Sequence, residues 1–363
     1  MNTREKYMQL VKMLDSNPVG APNSKEFLQM LEILYPGEQL DMALLLSFKN
    51  ATLEEVAEKA GMPAEQAKEI LETMAKRGTI CSKPFGETRK YRLWPIYAGF
   101  FEYSTMSLHL SEEEHKRLNE LWRYYYKKTL VHEVGETNPP WKRVLPAENS
   151  FMEPDQVLPY EIATELLKTA KSIALTNCAC RTIEQKCDKP VETCLAFNES
   201  AEFMIEYGHG RRITVEEAVD VLKLCEEAGL VHMTCNCKNS LLFMCNCCGD
   251  CCHLLRPYTE YNYPDTVSKS SVRPEISAEL CIGCGTCANR RCPVKALSIV
   301  DGKATLNERV CIGCGLCVST CPKHAIRLVP TGTITELPDT IGELSNLIYK
   351  TKREQRADPN YVR

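Results

Sequence analysis

Residues 281–300, CIGCGTCANRRCPVKALSIV, are followed thirty positions later by residues 311–329, CIGCGLCVSTCPKHAIRLV. The shared frame is Cys281-x2-Cys284-x2-Cys287-x4-Cys292-Pro293, then Cys311-x2-Cys314-x2-Cys317-x3-Cys321-Pro322. Two copies of one frame predict a pseudo-twofold module. Two residues between ligands let a turning backbone aim three thiolates into one cavity, and a more distant fourth thiolate closes the set. Gly283, Gly285, Gly313 and Gly315 suit that wrapping, because glycine accepts backbone angles that a Cβ forbids.

The chain around this repeat has 363 residues, enough for two or three domains with at least one real core. Its 21 cysteines are unevenly placed: eight in the repeat, twelve between Cys178 and Cys252, and only Cys81 before them. Lys and Arg number 44 against 48 Asp and Glu, so the balance makes no general case for a polyanionic partner or an anionic membrane. The first twenty residues mix charges with apolar positions and lack the apolar core of a signal peptide. The longest apolar candidate, residues 42–48, is too short to span a bilayer. A cytoplasmic location without membrane insertion is therefore expected. In that reducing compartment, closely spaced cysteines read as metal ligands rather than disulfides. Tandem CxxCxxC with Cys-Pro is an iron–sulfur pattern more than a zinc one.

On these residues the segment 273–330 resembles the bacterial-type dicluster ferredoxins. The resemblance implies a (βαβ)2 fold, two [4Fe–4S] clusters, one-electron transfer, and a fourth cysteine that serves the other cluster. One set is then Cys281, Cys284, Cys287 and Cys321, the other Cys311, Cys314, Cys317 and Cys292. The first copy departs from the family by one residue, with AlaAsnArgArg where three residues are usual. The extra residue is expected to bulge the loop and bring Arg290 and Arg291 near a cluster, raising the potential of the one held by Cys292. The bland alternative is that both arginines face water.

Upstream, Cys178-x-Cys180-Arg181, Cys187 and Cys194 precede Cys245-x-Cys247-Cys248-x2-Cys251-Cys252. Nine cysteines exceed the needs of one site. Adjacent pairs such as Cys247/Cys248 point apart in regular backbone, so the two members are expected to serve different partners. One or two further iron–sulfur clusters are the favoured reading, over zinc, because CxC is a poor zinc-knuckle spacing; an unmetallated thiol core is a third. Cys225, Cys235, Cys237 and Cys81 read as packing residues. His209, His232 and His253 read as ordinary hydrogen-bonded histidines rather than ligands. The combination of CxCR, CxCCxxCC, the stretch Gly208-His209-Gly210-Arg211 and a dicluster end resembles a loosely characterised family of ferredoxin-type proteins of anaerobic bacteria and archaea. That resemblance covers about residues 160–330 and implies electron transfer in an anaerobe without naming a reaction.

The N-terminal part carries helix, helix, helix, hairpin. Residues 39–47 are followed by a capping box at Thr52 and Glu55, a helix over 63–77 stopped by Gly78, and strands over 79–82 and 90–93 about a Pro84/Gly86 turn. This is the order of a winged helix-turn-helix. Its third helix carries Glu65, Glu69 and Glu72 against Lys68, Lys76 and Arg77, while Lys83, Arg89, Lys90 and Arg92 make a basic wing. Protein docking is favoured over DNA binding on that count. A helix over 112–128 leads to a proline-studded linker with Pro139, Pro140, Pro146, Pro154 and Pro159. A helix over 160–171, a strand over 172–176 and a capped helix from Thr214 to Gly229 follow.

The expected architecture is α+β and multidomain. It comprises a winged-helix-like region (1–105), a helix and Pro-rich linker (106–159), an α-rich Cys-rich metal-binding domain (160–265), the dicluster ferredoxin domain (272–330), and a tail or docking helix (331–363). No GxGxxG after a strand, GxxxxGK[ST] or GxSxG occurs, so nucleotide and hydrolase sites have no support. The expected function is one-electron relay to or from a partner oxidoreductase. Alternatives are a redox- or iron-sensing regulator that reads DNA, and an oxidoreductase with a catalytic middle cluster. The catalytic residues of such an enzyme are unassigned.

Overall fold

A computed structural model describes residues 1–150, 162–332 and 336–357. Pro154, Pro159 and the start of the helix expected at 160 lie outside the described residues.

The N-terminal part packs Thr3–Asp15, Lys25–Leu34 and Glu38–Leu45 against Leu53–Ala60 and Ala64–Lys76. The Thr52/Glu55 capping box forms at both ends, and Gly61 closes that helix in the left-handed region. Strands β1 (Ala51–Thr52), β2 (Ile80–Phe85) and β3 (Thr88–Leu93) make a sheet ordered β1-β3-β2. The hairpin reverses at Gly86 rather than Pro84, which is paired inside β2. An aromatic core of Phe27, Phe100, Phe101, Trp122, Tyr125 and Tyr126 joins this part to the helix Glu112–Tyr125.

Beyond it the chain is more sheet-like than an α-rich reading anticipates. Six antiparallel strands order as β4-β8-β9-β6-β5-β7. They are β4 (Lys142–Leu145), β5 (Ile173–Asn177), β6 (Glu192–Phe197), β7 (Arg211–Ile213), β8 (Val231–Cys235) and β9 (Phe243–Cys247). The edge strand β4 comes from the segment read as linker. Its four residues are all buried, because Val144 and Leu145 add to the cores beneath the sheet. Pro139 and Pro140 follow the helix Val131–Gly135 and do not stop the chain from entering the sheet. The helix Val215–Glu227 begins on the expected Thr214/Glu217 capping box.

In the C-terminal repeat, β10 (Val272–Ile276) pairs with β13 (Ile326–Pro330) and β11 (Leu297–Val300) with β12 (Lys303–Leu306). Each helical element between them is short, a single wide turn over Thr286–Arg291 in the first copy. The last helix, Ile341–Ala357, docks on the chain itself through fully buried Leu344 and Ile348 and a Lys352–Glu133 ion pair.

Candidate metal centres

The repeat closes around two cavities. One is lined by Cys281, Cys284, Cys287 and Cys321, the other by Cys292, Cys311, Cys314 and Cys317. Each draws three thiols from one copy and the Cys-Pro thiol from the other, so the crossing of the fourth cysteine is present in the fold. The extra residue of the first copy is absorbed by the Thr286–Arg291 turn, and Cys292 still reaches its cavity.

Backbone amides aim at four of these sulfurs, symmetrically at the two Cys-Pro thiols. Ala296 donates to Cys292 Sγ at 3.1 Å and Ala325 to Cys321 Sγ at 3.2 Å, four residues after each. Ala304 donates to Cys281 Sγ at 3.3 Å and Gly313 to Cys311 Sγ at 3.4 Å. Such donors favour sulfur carrying negative charge and are a lever on cluster potential. A Cβ at Gly313, whose φ is +72°, would stand 2.1 Å from Ser270 Oγ, so only glycine fits.

The two copies differ in surroundings. Cys284 is exposed, while burial pushes the Cys314 thiol up to about 12. The second copy is held by Ala147 donating to the Cys314 carbonyl at 3.0 Å and Ser150 Oγ to that of Gly315 at 2.8 Å. Tyr258 donates to the Val310 carbonyl at 2.6 Å. Ile312 and Leu316 share one core with Cys247, Cys252, Leu255 and Val294. Arg291 donates to the carbonyls of Leu316 (3.1 Å), Glu227 (2.7 Å) and Glu226, and lies within electrostatic reach of Cys314 and Cys317. Arg290 faces water, so the two sequence readings divide between neighbours.

The nine middle cysteines fall into two groups. Alternation along β9 puts Cys245 and Cys247 on one face, and Cys248 follows the end of the strand. Six thiols interact in a run from Cys178 through Cys180, Cys252, Cys247 and Cys245 to Cys194. Their mutual contacts lower Cys178, Cys252 and Cys245 and raise Cys180, Cys247 and Cys194. The other group is Cys187, Cys248 and Cys251, with Cys187 Sγ 3.7 Å from each of the others. The adjacent pairs 247/248 and 251/252 are thus split between groups.

Two buried cations attend them. Lys142 Nζ lies 4.0 Å from Cys235 Sγ; burial pulls its pKa down, but Cys235 and Cys245 raise it further. Arg181, inside the CxCR motif, is likewise lowered by burial and raised more by Cys178, Cys247 and Cys248. The guanidinium is anchored on the Asn246 carbonyl at 2.7 Å. Sequence reasoning missed Lys142, whose LysArgValLeu context carries no alternation to mark an inward cation. The partly buried Glu102 was also missed; loss of hydration lifts it to about 8 despite a bond from Gly99 N–H.

Cys225 is buried, its thiol pushed to about 12 by burial; Cys237 donates to the Ser240 carbonyl. His232 meets Asn246 and Glu226, and His253 meets Tyr97 and Glu184. His209 faces the Ala75 carbonyl, while Arg211 and Arg212 pair with Glu192 and Glu202. In the N-terminal hairpin Lys83 pairs with Glu199 and Arg89 with Glu206, while Lys90 covers Phe85 and Arg92 covers Trp94.

The family model described as the 4Fe-4S dicluster domain matches residues 273–322. This part of the chain is an iron–sulfur, ferredoxin-like domain. A comparison with curated proteins returned no match. Among the described residues no helix is long and apolar enough to cross a membrane.

Proposed function

We propose that the chain is an iron–sulfur electron relay, cytoplasmic and anaerobic, exchanging single electrons with a partner oxidoreductase at the first copy of the repeat. The observation that carries this reading is the pair of cavities, each lined by four cysteines in the crossed arrangement. Two [4Fe–4S] clusters bound there would supply the one-electron chemistry. The protein's own residues set the direction. Cys284 reaches solvent, whereas Cys292, Cys311 and Cys314 are only partly exposed and pack against a core that includes Cys247 and Cys252. Electrons therefore pass between an outside partner and the six linked thiols Cys178, Cys180, Cys194, Cys245, Cys247 and Cys252, which hold a further iron–sulfur centre. Lys142 and Arg181 offset its negative charge, as buried thiolates require. The N-terminal part, a winged helix in this reading, serves as a scaffold, since the four cations of its hairpin are engaged within the chain.

Cys314→Ser tests the assignment. Anaerobic protein reduced with dithionite is expected to lose one of two interacting cubane EPR signals, and Cys284→Ser the other. An unchanged spectrum in Cys314→Ser overturns the ligand set.

A further inference from the structure

Cys187, Cys248 and Cys251 differ from every other thiol group in spacing. All three sulfurs lie within 4.8 Å of one another, two of the separations being 3.7 Å. A tetrahedral ion with metal–sulfur bonds of about 2.3 Å sets its ligand sulfurs about 3.8 Å apart. A cubane holds its four thiolate sulfurs much farther apart, on the order of 6 Å, because each stands one bond outside a corner of the cube. The eight repeat thiols supply the comparison within the same molecule. They surround cavities, and among the described residues no three of them gather as the triad does.

Charge and access agree with a single ion. Three thiolates around a divalent cation leave one net negative charge. Arg181 lies within electrostatic reach of Cys248, and its side chain is nine-tenths buried or more, with Nε lacking any partner. Cys248 and Cys251 are buried, while Cys187 is half-exposed. No histidine, carboxylate or fourth thiol joins the group among the described residues, so the remaining position falls to water.

We infer that Cys187, Cys248 and Cys251 bind one tetrahedral divalent ion of the zinc class, separate from every iron–sulfur centre of the chain. The ion ties the loop after Ala179–Glu184 to the turn after β9. That turn includes Gly249, which lies against Pro293 beside Cys292. Thiols that still carry protons release them on binding. The inference does not rest on the relay: it concerns three cysteines outside the six linked ones and outside the repeat.

Metal content of the full chain, purified anaerobically, decides it. The wild type is expected to hold about one zinc per chain in addition to iron and labile sulfide. Cys187→Ser and Cys248→Ser are expected to lose zinc by about tenfold or more with iron and sulfide unchanged. Cys225→Ser, at a buried thiol packed beside the triad, keeps it. Cobalt exchanged into the wild type is expected to show thiolate-to-metal charge transfer that Cys187→Ser, a half-exposed position, lacks. A wild type free of zinc that takes up no cobalt, or a Cys248→Ser protein that loses iron and sulfide, overturns the proposal. Failure of the relay shows instead in the Cys314→Ser spectrum, which leaves zinc untouched.

Discussion

Ile282 and Ile312 hold equivalent places in the two copies of the repeat, yet Ile282 is 59% exposed and Ile312 only 1%. Around Ile282 the neighbours Leu280, Ile299 and Val300 are exposed as well, beside the solvent-facing Cys284. An apolar rim at one cavity and a buried isoleucine at the other fit the proposed exchange of electrons at the first copy. Ile282→Glu is expected to slow reduction by an electron-donating partner severalfold while iron content and thermal stability stay at wild-type levels. Ile312→Ala is expected to cost about 2–4 kcal/mol of stability, the usual loss for emptying a close-packed core position. Stopped-flow reduction and thermal unfolding read the two effects, and equal behaviour of the two variants would sink the asymmetry.

Gly249 approaches Pro293 so closely that a Cβ would stand 2.2 Å from the Pro293 carbonyl oxygen. Backbone on both sides leaves no flexible side chain to yield. Gly249→Ala is expected to cost about 1–3 kcal/mol through forced separation of the two segments. The apparent unfolding midpoint should fall, and the iron site containing Cys292 should become more labile to chelator than the one containing Cys321. Uniform lability would show that the contact does not support Cys292.

Arg291 and Arg290 are neighbours with different tasks. Arg291 caps the carbonyl end of Val215–Glu227 and lies near Cys314 and Cys317, where its charge favours the more negative, reduced state of that site. Arg291→Ala is expected to lower the potential of one cluster by on the order of tens of millivolts. Arg290→Ala, at an exposed position, is expected to leave both unchanged. Redox titration monitored by EPR checks this, and a shift of the same size in both variants would refute it.

His209 is buried against Phe203 and Tyr103, and burial lowers it from 6.5 to about 4. Between those values the unfolded chain binds the proton and the folded chain does not, so stability falls as pH drops from 6.5 toward 4. The loss attributable to this ring is about 2 kcal/mol at pH 5. His209→Gln should flatten the difference in unfolding midpoint between pH 7 and pH 5. An unaltered difference would remove His209 from the account of acid sensitivity.

Local chemistry was legible in the sequence where a short frame carries its own geometry. The three CxxCxxC thiols of each copy, their glycines and the capping boxes at Thr52 and Thr214 are specified by neighbours three or four residues away, while each fourth thiol comes from the other copy. Cys-x2-Cys spacing and a hydroxyl three residues before a glutamate act through the local backbone alone. What the sequence could not supply was which distant segments meet. The joining of Cys187 to Cys248 and Cys251, the run from Cys178 to Cys194, the inward Lys142 and the burial of Ile312 but not Ile282 all depend on sheet order and on the second copy packing against β8 and β9. Repeated motifs are identical in their own frame. Only tertiary packing, which buries apolar area over long loops, gives two like sequences different solvents and hence different roles.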